Sequence, residues 1–249
     1  MTWVLDLDGV VWLGDQPIPG SAEAVTRLRD RGERVVVVTN NSAMTIGAYE
    51  TKLARTGVPT AREDIVTSAQ VAAGMIRPDE RVLVCAGEGV REALSDRAIE
   101  IVDDGDADVV VVGWTQDFDY AHLTRAMRAV RGGARLLGTN DDATYPTPDG
   151  VLPGGGSLVA AVAYASGVPA TFAGKPHPPM VEAVKARFGS VDVMVGDRPS
   201  TDGLLARGLG ARFALVLSGV TKQADLPVEP APDLVAADLA GLVEANGGT

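Results

Sequence analysis

Two carboxylates stand two residues apart near the start of this chain, in Trp3-Val4-Leu5-Asp6-Leu7-Asp8-Gly9-Val10. In an extended segment, residues i and i+2 point to the same side. Like charges held that close repel, so Asp6 and Asp8 require a cation, a shared proton or strong hydrogen bonds. The chain offers two histidines and one cysteine as other ligands. Carboxylate oxygens therefore point to a hard cation, and also to a nucleophile with an acid/base partner. Asp-x-Asp-Gly is ordinary turn chemistry as well. It echoes the opening of a calcium loop too, but here the third ligand position is Val10 and no glutamate closes the loop.

Three further polar groups follow apolar runs. Thr39-Asn40-Asn41-Ser42 comes directly after a run of four valines. A hydroxyl, side-chain amides and the free N–H groups of a following helix suit an anionic oxygen. The same residues also serve as an ordinary helix cap. In Gly174-Lys175-Pro176-His177-Pro178, a lysine is fixed between glycine and proline, a candidate phosphate ligand. The last group is Val195-Gly196-Asp197-Arg198-Pro199-Ser200-Thr201-Asp202-Gly203. Asp197, at a strand end, is a candidate metal ligand; Asp202 is either a further carboxylate of the site or a residue of the next helix start.

These groups need a scaffold, and the pattern supplies one. β-branched runs predict strands at 2–6, 34–39, 81–86, 99–102, 108–113, 135–139, 192–197 and 212–217. Helical periodicity predicts helices at 21–31, 46–56, 88–95, 120–131, 157–166, 179–188, 201–209 and 238–245. Several strands are almost unbroken valine, as strands buried on both faces are. Alternation of strand and helix implies parallel sheets covered on both sides. Candidate chemistry falls at strand ends in two blocks, one near each end of the chain. Open α/β sheets bind ligands at the carboxyl ends of strands, near a switch in strand order. The simplest architecture is a core from residues 1–78 and 170–249, with 79–169 inserted as a second α/β domain. The segment 140–148 reads as a turn-rich loop of that insert, and the tail from Thr221 as Pro/Ala/Asp-rich with one short helix.

Composition narrows the partners. The formal charge of the 249 residues is −11, which opposes a nucleic-acid partner. A phosphorylated small molecule remains compatible if a local cation or lysine offsets the field. Cys85 lies in an apolar run and reads as a buried small hydrophobe, with no disulfide partner in the chain. No signal peptide and no membrane-length apolar run is expected, so the expected location is cytoplasmic.

Taken in order, Asp-x-Asp-Gly, Thr-Asn-Asn, Gly-Lys-Pro and Gly-Asp-x-x-x-x-Asp resemble the four motifs of the haloacid dehalogenase superfamily. The likeness narrows to its C2-capped class IIA branch, which holds NagD-type nucleotide phosphatases and p-nitrophenyl phosphatases. Phosphoglycolate, glycerol-phosphate and pyridoxal-phosphate phosphatases also belong there. The likeness spans nearly the whole chain, supported by Trp12-Leu13-Gly14 to Pro19-Gly20, Gly138-Thr139-Asn140-Asp141-Asp142, Pro153 to Leu158 and Leu217 to Thr221. Gly203 departs from the pattern, where an aliphatic residue is common, as does Pro199-Ser200, where Leu-Asp is usual.

The resemblance implies a HAD-like Rossmannoid core with a central parallel sheet and an inserted α/β C2-type cap. It implies Mg²⁺-dependent hydrolysis of small phosphomonoesters through an aspartyl phosphate. Asp6 would be the nucleophile and Asp8 the general acid/base. The metal would take the Asp6 carboxylate, the Asp8 carbonyl and Asp197, with Asp202 in contact with the ion or just behind it. Thr39, Asn40, Asn41 and Lys175 would hold phosphoryl oxygens. Tyr145 would face the leaving group, and Trp114-Thr115-Gln116 is a further candidate. The partner is a small phosphorylated metabolite rather than nucleic acid or membrane, and this branch often pairs as a homodimer through its caps.

Three other readings compete. Residues 81–104 mimic a dinucleotide fingerprint, but Glu92 occupies the third glycine position and Glu88 would repel a pyrophosphate. A phosphoacceptor receiver domain uses similar residues but is far shorter, and here the Asp197 motif follows the lysine. A phosphomutase would use the same site and keep its phosphoenzyme while the product reorients.

Overall fold

A computed structural model of the protein describes residues 1–147 and 149–246. Pro148, the last residue of the expected 140–148 loop, and the final three residues of the expected core lie outside them. Two parallel sheets are built from the predicted runs, plus short strands the pattern did not signal. The first sheet has six strands in the order Leu234–Ala236, Arg212–Val216, Val193–Gly196, Thr2–Leu5, Arg34–Thr39, Ile65–Thr67. All its pairings are parallel. Strand order switches at Thr2–Leu5, which lies between Arg34–Thr39, the next strand of this sheet along the chain, and Val193–Gly196 from the far end of the chain.

Alternation along these strands fills two cores. Trp3, Leu5, Val35, Val37, Val193 and Val195 pack with Val25, Leu28, Tyr49, Leu53, Leu239 and Val243 of helices Ser21–Asp30, Ile46–Arg55 and Leu239–Ala245. Val4, Val36, Val38, Met194 and Phe213 face the other way, toward helices Ser68–Gly74, Pro178–Phe188 and Leu204–Leu209. Valine at successive positions thus serves both faces at once.

The second sheet is drawn from the middle of the chain, in the order Thr171–Phe172, Arg135–Gly138, Val109–Val112, Val82–Cys85, Ile101–Val102. It too is parallel throughout. One face packs under helices Tyr120–Arg131 and Gly155–Ser166. The other face, with Val82, Val84, Val109, Val111 and Leu137, joins Val90 and Leu94 of helix Glu88–Ser95 in the cluster that already holds Val36, Val38 and Val66. One apolar cluster therefore runs continuously from the first sheet to the second. Thr171–Phe172 is an edge strand of the second sheet, so the chain leaves that sheet at Phe172, just past the expected division at 169.

Two segments read as irregular are strands. Thr144–Thr147 and Gly150–Pro153 form an antiparallel hairpin where a loop was expected. Their prolines are tolerated because both strands of a two-stranded ribbon are edges. In the tail, Leu234–Ala236 adds to the first sheet beside Arg212–Val216. The last predicted helix of the Asp197 motif begins as a wide turn over Pro199–Gly203 and becomes α-helical at Leu204–Leu209.

Candidate active site

The carboxyl ends of Thr2–Leu5, Arg34–Thr39 and Val193–Gly196 deliver Asp6, Thr39-Asn40 and Asp197 to one place. Each side chain is buried. The wide turn after Arg198 folds Asp202 back under Gly196, where it is fully buried. Oxygens of Asp6, Asp197 and Asp202 all lie within 4.8 Å of one another. Lys175, brought in from beyond the second sheet, bridges two of them. Its Nζ lies 2.8 Å from Asp6 Oδ1 and 2.7 Å from Asp202 Oδ1.

The backbone is shaped around these groups. Gly9 holds φ at +85°, and a Cβ there would run into the Asp197 carboxylate. The Val220 N–H donates to Asp197 Oδ2 at 2.5 Å. The Arg198 N–H donates to Asp202 Oδ2 at 3.1 Å. Both Asp202 oxygens are therefore engaged by protein donors.

The electrostatics are those of a site short of positive charge. Burial raises the Asp6 carboxyl well above the usual range; Lys175 opposes this, while Asp202 and Asp197 add to it. Burial and then Asp202 push Asp197 up to about 7. Burial alone would lower the Lys175 ammonium, but Asp202 and Asp6 more than offset it and the net shift is upward. A cluster of buried carboxylates with one lysine matches the donor chemistry of a divalent hard cation. The residues present fit such an ion.

Asp8 stands apart from this cluster. Its Oδ1 accepts from Trp12 Nε1 and from the Tyr145 hydroxyl, each at 3.1 Å. Burial raises its carboxyl, with Lys52 the largest opposing influence. Tyr145 comes from the hairpin of the inserted region, and its ring lies 5.2 Å from that of Trp114. Asp6, Asp8, Thr39, Lys175, Tyr145 and Trp114 all line one cleft, with about 60 Å³ of free space.

All nine sequence-predicted site residues meet in or beside this cleft, although not with equal freedom. The Thr39 hydroxyl accepts from the Asn41 N–H at 3.1 Å, and Asn41 Oδ1 accepts from the Ala43 N–H at 3.1 Å. Asn40 has its side chain engaged within the protein: Oδ1 accepts from the Lys175 N–H at 2.7 Å, and Nδ2 donates to the Lys175 carbonyl at 3.0 Å. Thr115 and Gln116 are not among the cleft-lining residues. Asn140, Asp142 and Arg198 are among the cleft residues that had no assigned role in the sequence. Their signal was position, since Asn140-Asp141-Asp142 and Arg198 follow strand ends as the other motifs do.

A parallel sheet with its carboxylates at the switch point, facing an inserted second sheet, defines a haloacid dehalogenase-type hydrolase. The chain belongs to that family. A haloacid dehalogenase-like hydrolase model matches residues 3–100, and a HAD-hydrolase-like model matches residues 172–242. It is 34% identical over 227 residues to the 5′-nucleotidase YutF of Bacillus subtilis, covering 89% of this chain and 88% of that one. A p-nitrophenyl phosphatase structure from Archaeoglobus fulgidus superposes with a TM-score of 0.89 at 30% identity, covering 98% of both chains. The magnesium complex of a glycerol phosphate phosphatase from Mycobacterium tuberculosis gives a TM-score of 0.87 at 34% identity. It covers 97% of this chain and 75% of that one. Within the family, the chain is a phosphohydrolase of the capped, NagD-like branch. Among the described residues, no helix is long and apolar enough to cross a membrane.

Proposed function

We propose that the protein hydrolyses small phosphomonoesters with Mg²⁺, through a phosphorylated Asp6. The observation that carries this is the Lys175 bridge between Asp6 and Asp202, with Asp197 beside it. Phosphoryl transfer requires mainly positioning and charge stabilisation, and this arrangement offers both. Asp6 and Asp197 carboxylates and the Asp8 carbonyl would hold the ion. Asp202, with both oxygens engaged, acts through Lys175 and the turn rather than by direct ligation. The ion would supply positive charge to the phosphoryl oxygens and keep Asp6 ionised.

Asp6 attacks phosphorus, forming the acyl-phosphate bond as the bond to the leaving oxygen breaks. Asp8 gives its proton to that oxygen. The carboxyl raised by burial suits a group that must carry a proton at the outset. In the second half, Asp8 takes a proton from water, water oxygen bonds to phosphorus, and Asp6 leaves as carboxylate with orthophosphate. Lys175 and Thr39 with the Asn40-Asn41 loop hold the transferred group. Residues 79–169 act as the cap, and Tyr145 with Trp114 walls the leaving-group side of a narrow cleft. The phosphatase reading is favoured over the phosphomutase because the relatives found carry phosphatase and nucleotidase names.

Phosphate release from a panel of phosphomonoesters, with Mg²⁺ and with chelator, tests the activity. Acid quench with labelled substrate should leave label on the Asp6 peptide. Undiminished turnover in chelator, or labelling of an Asp6→Asn variant, would sink the mechanism.

A further inference from the structure

The side chain of Asp142 reaches from the inserted region into the first sheet's site and ends on two residues there. Its Oδ2 accepts from Asn40 Nδ2 at 2.9 Å, and its Oδ1 lies 3.4 Å from Arg198 Nη1. Its own backbone is held on both sides. The Asp142 N–H donates to Asn140 Oδ1 at 3.1 Å, and the Asp142 carbonyl accepts from the Gly156 N–H at 3.0 Å. Asn140 Nδ2 in turn donates to the Asn40 carbonyl at 2.7 Å, and the Ser68 hydroxyl donates to that same oxygen at 2.7 Å.

A carboxylate accepts and cannot donate, whereas an amide does both. With Asp142 on one side, Asn40 must present its NH₂ there. Its Oδ1 is then turned to the Lys175 N–H, and the two constraints agree. Lys175 follows a strand of the second sheet, yet its ammonium must sit between carboxylates delivered from the first. The pair of bonds between Asn40 and the Lys175 backbone holds it across that junction.

We propose that Asp142 is a positioning residue for Lys175. By fixing the orientation of the Asn40 amide, it registers the lysine against Asp6 and Asp202. This rests on the reading of Lys175 as part of the phosphoryl-binding machinery. The conservative replacement Asp142→Asn would defeat it despite equal size. Arg198 Nη1 needs an oxygen on its side, so an asparagine keeps Oδ1 there and turns its NH₂ toward Asn40, which then meets it with its own Oδ1. The Asn40 NH₂ is thereby turned toward the Lys175 N–H, donor against donor, and the lysine must shift.

The test is a double-mutant cycle on p-nitrophenyl phosphate with Mg²⁺, read beside crystal structures of the wild type and Asp142→Asn. Misplacement by about 1 Å can cost about 100-fold, so kcat should fall about 10- to 100-fold, with KM changed less. In an Asn40→Ala background the same substitution should change kcat by less than about threefold, because the intermediary is gone. The crystal structure should show Lys175 Nζ displaced from Asp6 or Asp202. An equal fall in both backgrounds, or Lys175 unmoved in the variant, overturns the proposal. Asp142→Ser, which keeps a polar atom but shortens the reach, takes its place if the asparagine variant fails to fold. The position of Lys175 is read without turnover. A wild-type protein that releases no phosphate would therefore count against the phosphatase reading and leave the positioning claim to be judged by the crystal structure.

Discussion

The two sheets are built alike and used differently. Arg34–Thr39 is RVVVVT and Val109–Val112 is VVVV, and both are parallel strands buried on both faces. Their periodicity is the same, and so is the alternation that fills two cores. They differ in the residues just past the strand ends. The first sheet ends in Asp6, Thr39-Asn40 and Asp197, whereas Val109–Val112 runs into Gly113. A Cβ on Gly113 would lie 2.6 Å from Ser42 Oγ and 2.8 Å from Thr139 Oγ1, the two hydroxyls that bond each other at 2.9 Å across the junction. The strand Arg34–Thr39 thus ends in polar groups of the site, and Val109–Val112 in room for its neighbour. Scaffold pattern alone does not separate an active site from its cover; the strand-terminal residues do.

The largest expected effect is on the charged side. Asp6→Asn should abolish turnover while leaving thermal stability unchanged or higher, since it relieves a crowd of buried carboxyls. Purified variant with wild-type-like phosphate release would end the assignment of a nucleophile there. On the other side of the junction, Gly113→Ala should reverse the pattern. Overpacking typically costs about 1–3 kcal/mol, so Tm should fall by several degrees, with kcat of the folded protein kept within a few fold. A loss of activity without loss of stability would place catalytic function in the second sheet.

A smaller change is expected at the hairpin. Tyr145→Ala removes both a hydrogen bond to Asp8 and a wall of the cleft. It should reorder preference among phosphomonoesters, measured as kcat/KM over the panel. A uniform loss on every substrate would make Tyr145 a support for Asp8 alone.

The smallest effect is one that acid removes. Each region carries one exposed aspartate held below its usual range. Asp119, the cap of helix Tyr120–Arg131, is lowered first by the His122 N–H, and Asp233 by the Phe213 N–H. A depressed carboxyl contributes stability above its unfolded value of about 4 and loses it as pH falls through the folded value. Asp119→Asn and Asp233→Asn should each lower Tm slightly at neutral pH, the difference closing in strong acid. A difference that persisted or grew in acid would show that something other than ionisation is lost.

Much of this was legible in the sequence because valine runs report buried parallel strands and because several carboxylates, a lysine and amides fall together at their ends. Ile65–Thr67 and Ser68–Gly74 were missed. The strand is too short to show a pattern, and the helix is made of small residues that give no amphipathic period. Its start is marked only by the reciprocal capping of Thr67 and Gln70. The hairpin was hidden by its prolines, which argue against strands in any sheet but a two-stranded one. Position after a strand end marks Asp142, but its pairing could not be read, since its partner Asn40 lies 102 residues away and only folding brings a carboxylate to that amide.

The cluster that runs unbroken from Val36 and Val66 through Val84 and Leu94 to Val111 and Leu137 bears on how a substrate gets in. A swinging lid needs a seam where apolar contact is thin, and here one buried apolar cluster spans the seam between the sheets. Opening it would expose valines from both sides to water. The route this leaves is past the hairpin that carries Tyr145, a ribbon with five of its eight strand residues exposed. Hydrogen exchange would register the distinction: amides of Val109–Val112 should be as slow as those of Arg34–Thr39, and those of the hairpin fast. The pace of the enzyme would then be set at a doorway rather than by the lifting of a roof.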